Sequence, residues 1–409
     1  MQSIKLNCPK DPTEILDRLM AAGYNAYVVG GCVRDTLLGI TPNDWDITTS
    51  ALPEEILEVF RDEHTIPTGL KHGTVTVMKN HEPYEVTTFR IDGAYTDSRH
   101  PESVTFSDRI SDDLSRRDFT INALAWNKEH GIVDCFSGIE DLEKGLIRAV
   151  GVPEKRFEED ALRILRGYRF SAQLGFEIEE NTRKALVSES PRLKNISRER
   201  VSSEFCRLIT AKGAISVLRM LEEDGIFPYV FEGDGYRLPA PEILARIGAL
   251  PRALEDRLGF LLRGTPEEKA KAWLRSLRLS NKQFGDIVTI ADFDGLIGLP
   301  ESDYGARRML SIAGDLSERL LAVAEAHGKN VDFFRTAIAR ARENKDCISV
   351  GGLAIGGKDL IAGGIAKGAA IGRILSALLD AVLKDPAMNT PEALLKEATR
   401  LSEEFERSL

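Results

Sequence analysis

The sequence predicts an α+β fold, a mixed α/β head followed by an all-helical remainder. Three observations predict it. Short runs rich in Val, Thr and aromatic residues, each bounded by turn residues, are confined to roughly the first 140 positions. After Val150 that signal almost vanishes, and apolar residues recur at helical spacing to the C-terminus. A chain of 409 residues also exceeds one ordinary hydrophobic core, so two to four domains are expected.

The elements follow in order. Asp11-Pro12-Thr13-Glu14 reads as an N-cap, a proline at the first helical position and a capping-box glutamate, and Gly23 ends that helix. Strands are expected at 25–29, 44–48, 73–78 and 84–89, with a helix from Pro53 to Phe60 between the second and third. Prolines at 228, 239, 241, 251 and 300 punctuate the helical remainder without a disordered linker. Glycines 356, 357, 368 and 372 fall at expected helix starts, where they suit either phosphate binding or capping and close packing.

Composition narrows the function classes. No stretch approaches the ~20 apolar residues of a membrane span, and the first residues lack a signal peptide's apolar core, so a cytoplasmic protein is expected. Five scattered cysteines without a CxxC pair indicate neither a disulfide framework nor a zinc site. The net charge of −10 argues against a protein that coats nucleic acid indiscriminately. Arg148 to Arg207, however, holds 13 Lys and Arg against 10 Asp and Glu. A basic middle in an acidic chain fits a polyanion held in one cleft, and equally a solvated helical surface of mixed charge.

Residues 24–50 carry the densest chemical signal. A short apolar strand runs into Gly30-Gly31, a helix opens, and Asp44-Trp45-Asp46 follows. Side chains alternate along a strand, so the two carboxylates share a face, where their repulsion calls for a divalent cation. The double glycine puts bare N–H groups at a helix N-terminus, which suits a phosphate. Taken singly, the glycines also read as a tight turn and the aspartates as a polar strand edge. Together they match a nucleoside triphosphate held against metal ions.

A second signal lies between Glu158 and Phe176. As one helix, this segment lines Ile164, Leu165, Tyr168 and Ala172 along a packed stripe and gathers Glu159, Asp160, Arg163 and Arg166 on the opposite face. An ordinary surface helix with an Asp160 to Arg163 ion pair would do the same. The alternative is base reading. Cytosine and adenine each offer an exocyclic amine beside a ring acceptor, whereas uracil and guanine present the reverse polarity. One rigid Asp and Arg pair therefore accepts C and A and leaves buried polar groups unpaired against U and G.

Successive segments then carry a family likeness: VVGGCVRDTLLG, DWDITTSALPEE, TGLKHGTVTV, YEVTTFR, DGAYTDSRHPESVTF, RRDFTINALAWN, DCFSGIEDLEKGLIRAVG, RFEEDALRILRGYRFSAQLGF and ISRERVSSEF. They cover nearly all of residues 24–209. They resemble the bacterial class II tRNA nucleotidyltransferases, the CCA-adding enzymes of the superfamily that includes the bacterial poly(A) polymerases. LRLSNKQ, LAIGGKDLIAGG and LLDAVLKDP echo the body and tail of that family more weakly. The resemblance implies a nucleotidyltransferase head over 1–140 with a small mixed sheet, a helical neck for base recognition over 141–209, a helical body over 210–300 and a tRNA-binding helical tail over 301–409.

It also implies roles. Asp44 and Asp46 become the catalytic pair binding Mg²⁺, with Glu85 a third carboxylate. Gly30, Gly31 and Arg34 contact the triphosphate, Arg117, Asp118 and Asn122 hold the nucleotide and its ribose, and Arg166 joins the nucleotide-binding set. Asp160 and Arg163 form the amino-acid template for CTP and ATP, steadied by Glu159. Cys32 and Trp45 depart from the family pattern without facing the ligand. The expected partners are tRNA, CTP and ATP, with no membrane and no oligomeric state assigned. The segment from Ile91 to Phe106 is of the full length that addition of the final A requires; an A-adding enzyme keeps it too and is one alternative. A non-catalytic RNA-binding relative is the other.

Overall fold

The structure, a computed structural model, describes residues 6–93, 103–233 and 235–407. Contacts divide the chain into two compact units, one running through Arg237 together with Ser276–Arg278, the other comprising Leu238–Arg275 and the chain from Leu279 onward.

The first unit starts with α1 (Lys10–Ala21). This helix begins before the expected cap at Asp11. Pro9 is its N-cap, with its carbonyl taken by the Thr13 N–H at 3.2 Å and the Thr13 hydroxyl at 2.7 Å. Asp11 and Pro12 thus sit in the first turn, where an acid and a missing N–H are both tolerated. The head is a seven-stranded sheet of β1 (Ala26–Val29), β2 (Ile47–Thr49), β3 (His64–Gly69), β4 (Thr74–Lys79), β5 (Glu82–Thr88), β8 (Leu124–Asn127) and β9 (Gly131–Asp134), in the order β3-β4-β5-β2-β1-β8-β9. The β2–β5 pair is parallel and the others are antiparallel. Between them, β6 (Arg90–Asp92) and β7 (Val104–Phe106) pair as a separate ribbon. They form the base of the segment expected to matter for A addition, whose residues 94–102 lie outside the described residues.

The structure departs from the sequence reading at β3, at β8 and β9, and at the start of β2, and it bears out β1. β3 contains Pro67, which lacks a ladder donor, and it occupies the sheet edge, where a proline is tolerated. β8 and β9 are four residues each, too short to stand out by pattern. β1 is buried along its whole length because both faces of this central strand are covered, so it lacks the alternation of a half-exposed strand. Asp44 lies outside β2, and Asp46 stands just before it, although the Asp46 carbonyl already accepts from Val29 N–H at 3.0 Å.

Helices α2 (Gly31–Leu37), α3 (Pro53–Val59), α4 (Ile110–Ser115) and α5 (Gly138–Lys144) complete the head. Beyond it come α6 (Pro153–Glu159), α7 (Leu162–Leu174), α8 (Glu180–Glu189), α9 (Arg198–Ile209), α10 (Ala214–Glu223) and α11 (Phe227–Val230). The only strands among the described residues of this part are the two-residue β10 (Leu146–Ile147) and β11 (Glu177–Ile178). The stripe read from the sequence is the buried face of α7: Ile164, Tyr168 and Ala172 are fully buried and Leu165 nearly so. The Tyr168 hydroxyl donates to Asp224 at 2.7 Å.

The second unit is helical: α12 (Pro241–Leu244), α13 (Leu254–Leu262), α14 (Glu267–Ser276), α15 (Asn281–Ile290), α16 (Asp303–Ala313), α17 (Ser317–Ala326), α18 (Asp332–Glu343), α19 (Gly357–Ala362), α20 (Ala369–Lys384) and α21 (Pro391–Arg407). One core gathers Leu310, Leu320, Phe334 and Ile338, and another Leu360, Ile374, Leu378 and Leu394. Gly356 and Gly368 cap α19 and α20, Gly357 opens α19, and Gly372 lies within the first turns of α20. The Gly356 N–H is already taken by the Asp359 carboxylate at 2.7 Å, which favours capping over phosphate binding there.

Replacing Tyr168 by Phe keeps the ring in place and strips one donor from the Asp224 carboxylate, which Arg183 still holds at 2.9 Å. Urea unfolding should register a loss of about 1 kcal/mol; an unchanged midpoint would mean that the hydroxyl contributes nothing to the packing of α7.

Candidate active site

A cleft of about 420 Å³ opens where the end of β1, the start of α2, the segment before β2, and helices α7 and α9 converge. Its wall includes Gly30, Gly31, Arg34, Asp44, Asp46, Arg117, Asp118, Asn122, Asp160, Arg163 and Arg166. Glu85 and Glu159 belong to the expected set but not to the wall. Arg116, Leu162, Arg169, Phe170 and Arg200 line it too, and the sequence reading gave none of them a role. Arg169 could have been found, since it follows Arg166 by one turn of helix.

The phosphate side is built on Gly30. With φ +83° it adopts a conformation favouring glycine, and a Cβ there would meet Arg117 Nη1 at 2.8 Å. Arg117 is held by Asp113, which is fully buried and also takes Arg116. Opposite, Asp118 accepts from its neighbour Phe119 N–H at 2.8 Å, from Asn122 Nδ2 at 3.0 Å and from Arg166 Nε at 2.7 Å. Burial alone would raise this carboxyl, but the Arg166 charge, the Asn122 hydrogen bond and Arg163 together hold it well below the usual carboxylate range. Asn122 in turn accepts from Arg34 Nη1 through its own Oδ1. The Phe170 ring lies under three guanidiniums, with Arg169, Arg34 and Arg166 at 4.0, 5.1 and 5.2 Å from its centroid.

Asp44 and Asp46 open onto the same cleft. Asp46 keeps surface open to the cavity while protein atoms crowd its other sides. That burial, then the Asp44 charge, pushes its carboxyl up to about 6, with Arg117 opposing and Glu85 adding to the push. Glu85 precedes Val86, which pairs with Ile47, so Glu85 and Asp46 are adjacent across the parallel β2–β5 pair. Among the described residues no group of three or more His, Cys, Asp or Glu side chains could hold a metal ion unaided. Two carboxylates whose mutual repulsion a cation would relieve nevertheless fit Mg²⁺, which takes one or two carboxylates and completes its shell with water and substrate phosphates.

The base side departs from the sequence reading. The segment from Glu158 to Phe176 is not one helix: α6 ends at Glu159, and Asp160 is extended at φ −138°, ψ 102°. The Asp160 carboxylate accepts from Leu162 N–H at 3.0 Å, which starts α7, and from Arg200 Nη2 of α9 at 3.0 Å. Asp160 thus pairs with Arg200 and Arg163 with Glu159, so the ion pair of the ordinary surface-helix reading does not form. Arg163 bonds instead to the Glu159 carboxylate at 2.7 Å and to the carbonyls of Arg156 and Arg116 at 3.1 and 2.9 Å. Glu159 therefore holds Arg163 from outside the cleft wall.

Comparison with known proteins bears on the whole chain. Residues 26–148 match the family described as "Poly A polymerase head domain", 175–233 the family "Probable RNA and SrmB-binding site of polymerase A", and 258–398 the tRNA nucleotidyltransferase domain 2 family. A CCA-adding enzyme of Lactobacillus delbrueckii subsp. bulgaricus is 38% identical over 384 residues, 93% of this chain and 95% of that protein. The chain belongs to the CCA-adding enzymes. A CCA-adding enzyme of Leuconostoc mesenteroides is 49% identical over 233 residues, which is 57% of this chain and 56% of that protein. The crystal structure of the Bacillus stearothermophilus CCA-adding enzyme in complex with CTP superposes with a TM-score of 0.80 at 33% identity, covering 97% of this chain and 98% of that one. The head and helical architecture is thus that of a nucleotidyltransferase. No described helix is long and apolar enough to cross a membrane.

Because the folded Asp46 carboxyl is raised above its unfolded value, its ionisation costs stability. The cost is absent below about pH 4, grows as pH rises through about 6 and is complete above it. The metal-free Asp46→Asn protein should therefore melt higher than the parent at pH 8, with the gap narrowing towards pH 5. Divalent-ion binding to the parent, followed by calorimetry, should weaken as pH falls through about 6. A melting gap independent of pH would contradict the raised carboxyl.

Proposed function

We propose that this protein is a template-independent polymerase that adds C, C and A to the 3′ end of tRNA from CTP and ATP, releasing pyrophosphate. One observation carries the reading: a single cleft joins the paired aspartates, a cluster of arginines and the Asp160 and Arg163 side chains. Seven arginines line it against four aspartates. That excess suits a triphosphate in a site whose field is focused by low-dielectric walls. Asp44 and Asp46 would hold Mg²⁺, which when bound lowers the pKa of the tRNA 3′-hydroxyl and neutralises charge on the leaving pyrophosphate.

The remaining work falls to the chain's own residues. Arg34, Arg117 and Arg166 bind triphosphate oxygens, while Asp118 and Asn122 keep the arginines and the ribose in place. With the nucleotide so fixed, the 3′-oxygen forms its bond to the α-phosphorus as the bond to the pyrophosphate oxygen breaks. Catalysis is then chiefly positioning and electrostatics. Asp160 accepts from the exocyclic amine of C or A, and Arg163 donates to the ring. A guanidinium has five N–H donors, so the three contacts of Arg163 leave capacity for a base. Glu85 shapes the field at Asp46. Residues 1–140 act as the catalytic head, 141–209 as the base-reading neck, and 210–300 and 301–409 as body and tail that grip tRNA by shape and phosphates. The reaction takes place in the cytoplasm.

The test offers the purified protein Mg²⁺ and tRNAs ending before CCA, after C and after CC, each with single nucleoside triphosphates. Addition of C to the first two and of A to the third is expected. Addition of A alone to the third would make it an A-adding enzyme, and no addition to any would make it a non-catalytic relative. Asp44→Ala and Asp46→Ala should each abolish addition while tRNA binding persists; turnover by either would remove the metal reading.

A further inference from the structure

The base side of the cleft contains one arginine to which nothing so far gives a task. Arg200 lies in the first turn of α9, forty positions beyond Asp160, and its Nη2 donates to Asp160 Oδ2 at 3.0 Å. Its Nη1 is buried with no hydrogen-bond partner, and the side chain lines the cleft. Asp160 stands at a break between helices, so no regular backbone ladder dictates where its carboxylate points. Among the described residues two hydrogen bonds orient it: from the Leu162 N–H to Oδ1 and from the Arg200 guanidinium to Oδ2.

Those contacts divide the labour on the base edge. Glu159 and two carbonyls fix Arg163, and neither of the groups on Asp160 belongs to that set. The acceptor and the donor of the pair are thus held by independent supports. A carboxylate free to turn about its terminal torsion would meet an amine or a ring N–H with little preference, because that torsion has broad wells. A carboxylate pinned by a charge-assisted bond holds its remaining lone pairs in fixed directions.

We propose that Arg200 is the positioning residue that fixes the Asp160 carboxylate in the orientation that accepts the exocyclic amine of C or A, and so sets nucleotide selectivity from α9. This rests on the reading of Asp160 as the base acceptor. Arg200 touches neither the triphosphate nor the reacting hydroxyl in this scheme. Its removal alters which base is taken, and leaves intact how the phosphates are held.

The experiment measures kcat/KM for CTP, ATP, UTP and GTP on tRNAs ending before CCA and after CC. The proteins compared are wild type, Arg200→Met, Arg200→Lys, Asp160→Ala and the Asp160→Ala/Arg200→Met double variant. Wild type preferring CTP and ATP establishes the underlying reading; a wild type without that preference defeats that reading rather than this one. Given the preference, Arg200→Met should reduce selectivity against UTP and GTP roughly 10-fold, the loss of a charged hydrogen bond. Arg200→Lys should recover part of it, and also tests the proposal should the Met variant fail to fold. In the Asp160→Ala background, Arg200→Met should change selectivity no further, since the residue acts through that carboxylate. Equal losses for all four nucleotides, unchanged selectivity in both Arg200 variants, or a full additional loss in the double variant would overturn the proposal.

Discussion

Asp118 carries its charge with only 7% of its surface exposed, and it is tolerated because donors reach both of its oxygens. Phe119 N–H and Asn122 occupy one oxygen and Arg166 the other. The carboxylate in turn aims its partners. Through Asn122 it reaches Arg34 on α2, and through Arg166 it ties the segment between α4 and β8 to α7. Stripping those donors would leave the buried Asp118 charge uncompensated. Two of the arginines on the phosphate side, Arg34 and Arg166, are held through this one side chain.

The arginines gathered around it repel one another, and the fold relieves this in two ways. Acidic anchors lie behind them: Asp113 behind Arg116 and Arg117, and Glu204 behind Arg169. Phe170 places its ring face under three guanidiniums, each contact worth roughly 0.5–2 kcal/mol depending on how far it is desolvated. Gly30 completes the arrangement, since any side chain there would displace Arg117. Across the cleft the opposite imbalance exists at Asp44 and Asp46, where burial and then the Asp44 charge raise the Asp46 carboxyl. A triphosphate with its divalent cation would relieve both excesses at once.

Local chemistry determined how much of this was legible in the sequence. The strands near 25–29, 73–78 and 84–89 and the helical remainder follow from apolar patterning, and they appear as β1, β4, β5 and helices α6 to α21. The edge strand β3 was hidden by Pro67, and β8 and β9 by their brevity. In the cleft, Asp44 and Asp46 do share one cavity as their spacing suggested, although both precede β2. The helix break at Asp160 was not legible: a helical wheel assumes continuity, and one of the two groups on the Asp160 carboxylate, Arg200, lies forty positions away on α9. Phe170 was hidden for a similar reason, because a phenylalanine on an apolar helix reads as core whether or not arginines crowd its face.

The central claim is that Asp118 organises the phosphate side of the cleft and does so independently of base reading. The most direct measurement is equilibrium binding of all four nucleoside triphosphates to wild type and to Asp118→Asn, by calorimetry in the absence of tRNA. The account predicts that the four affinities fall together, by roughly 10-fold or more for the loss of a charged hydrogen bond, with the ratios among bases preserved. Unchanged affinities, or a loss confined to CTP and ATP, would contradict it.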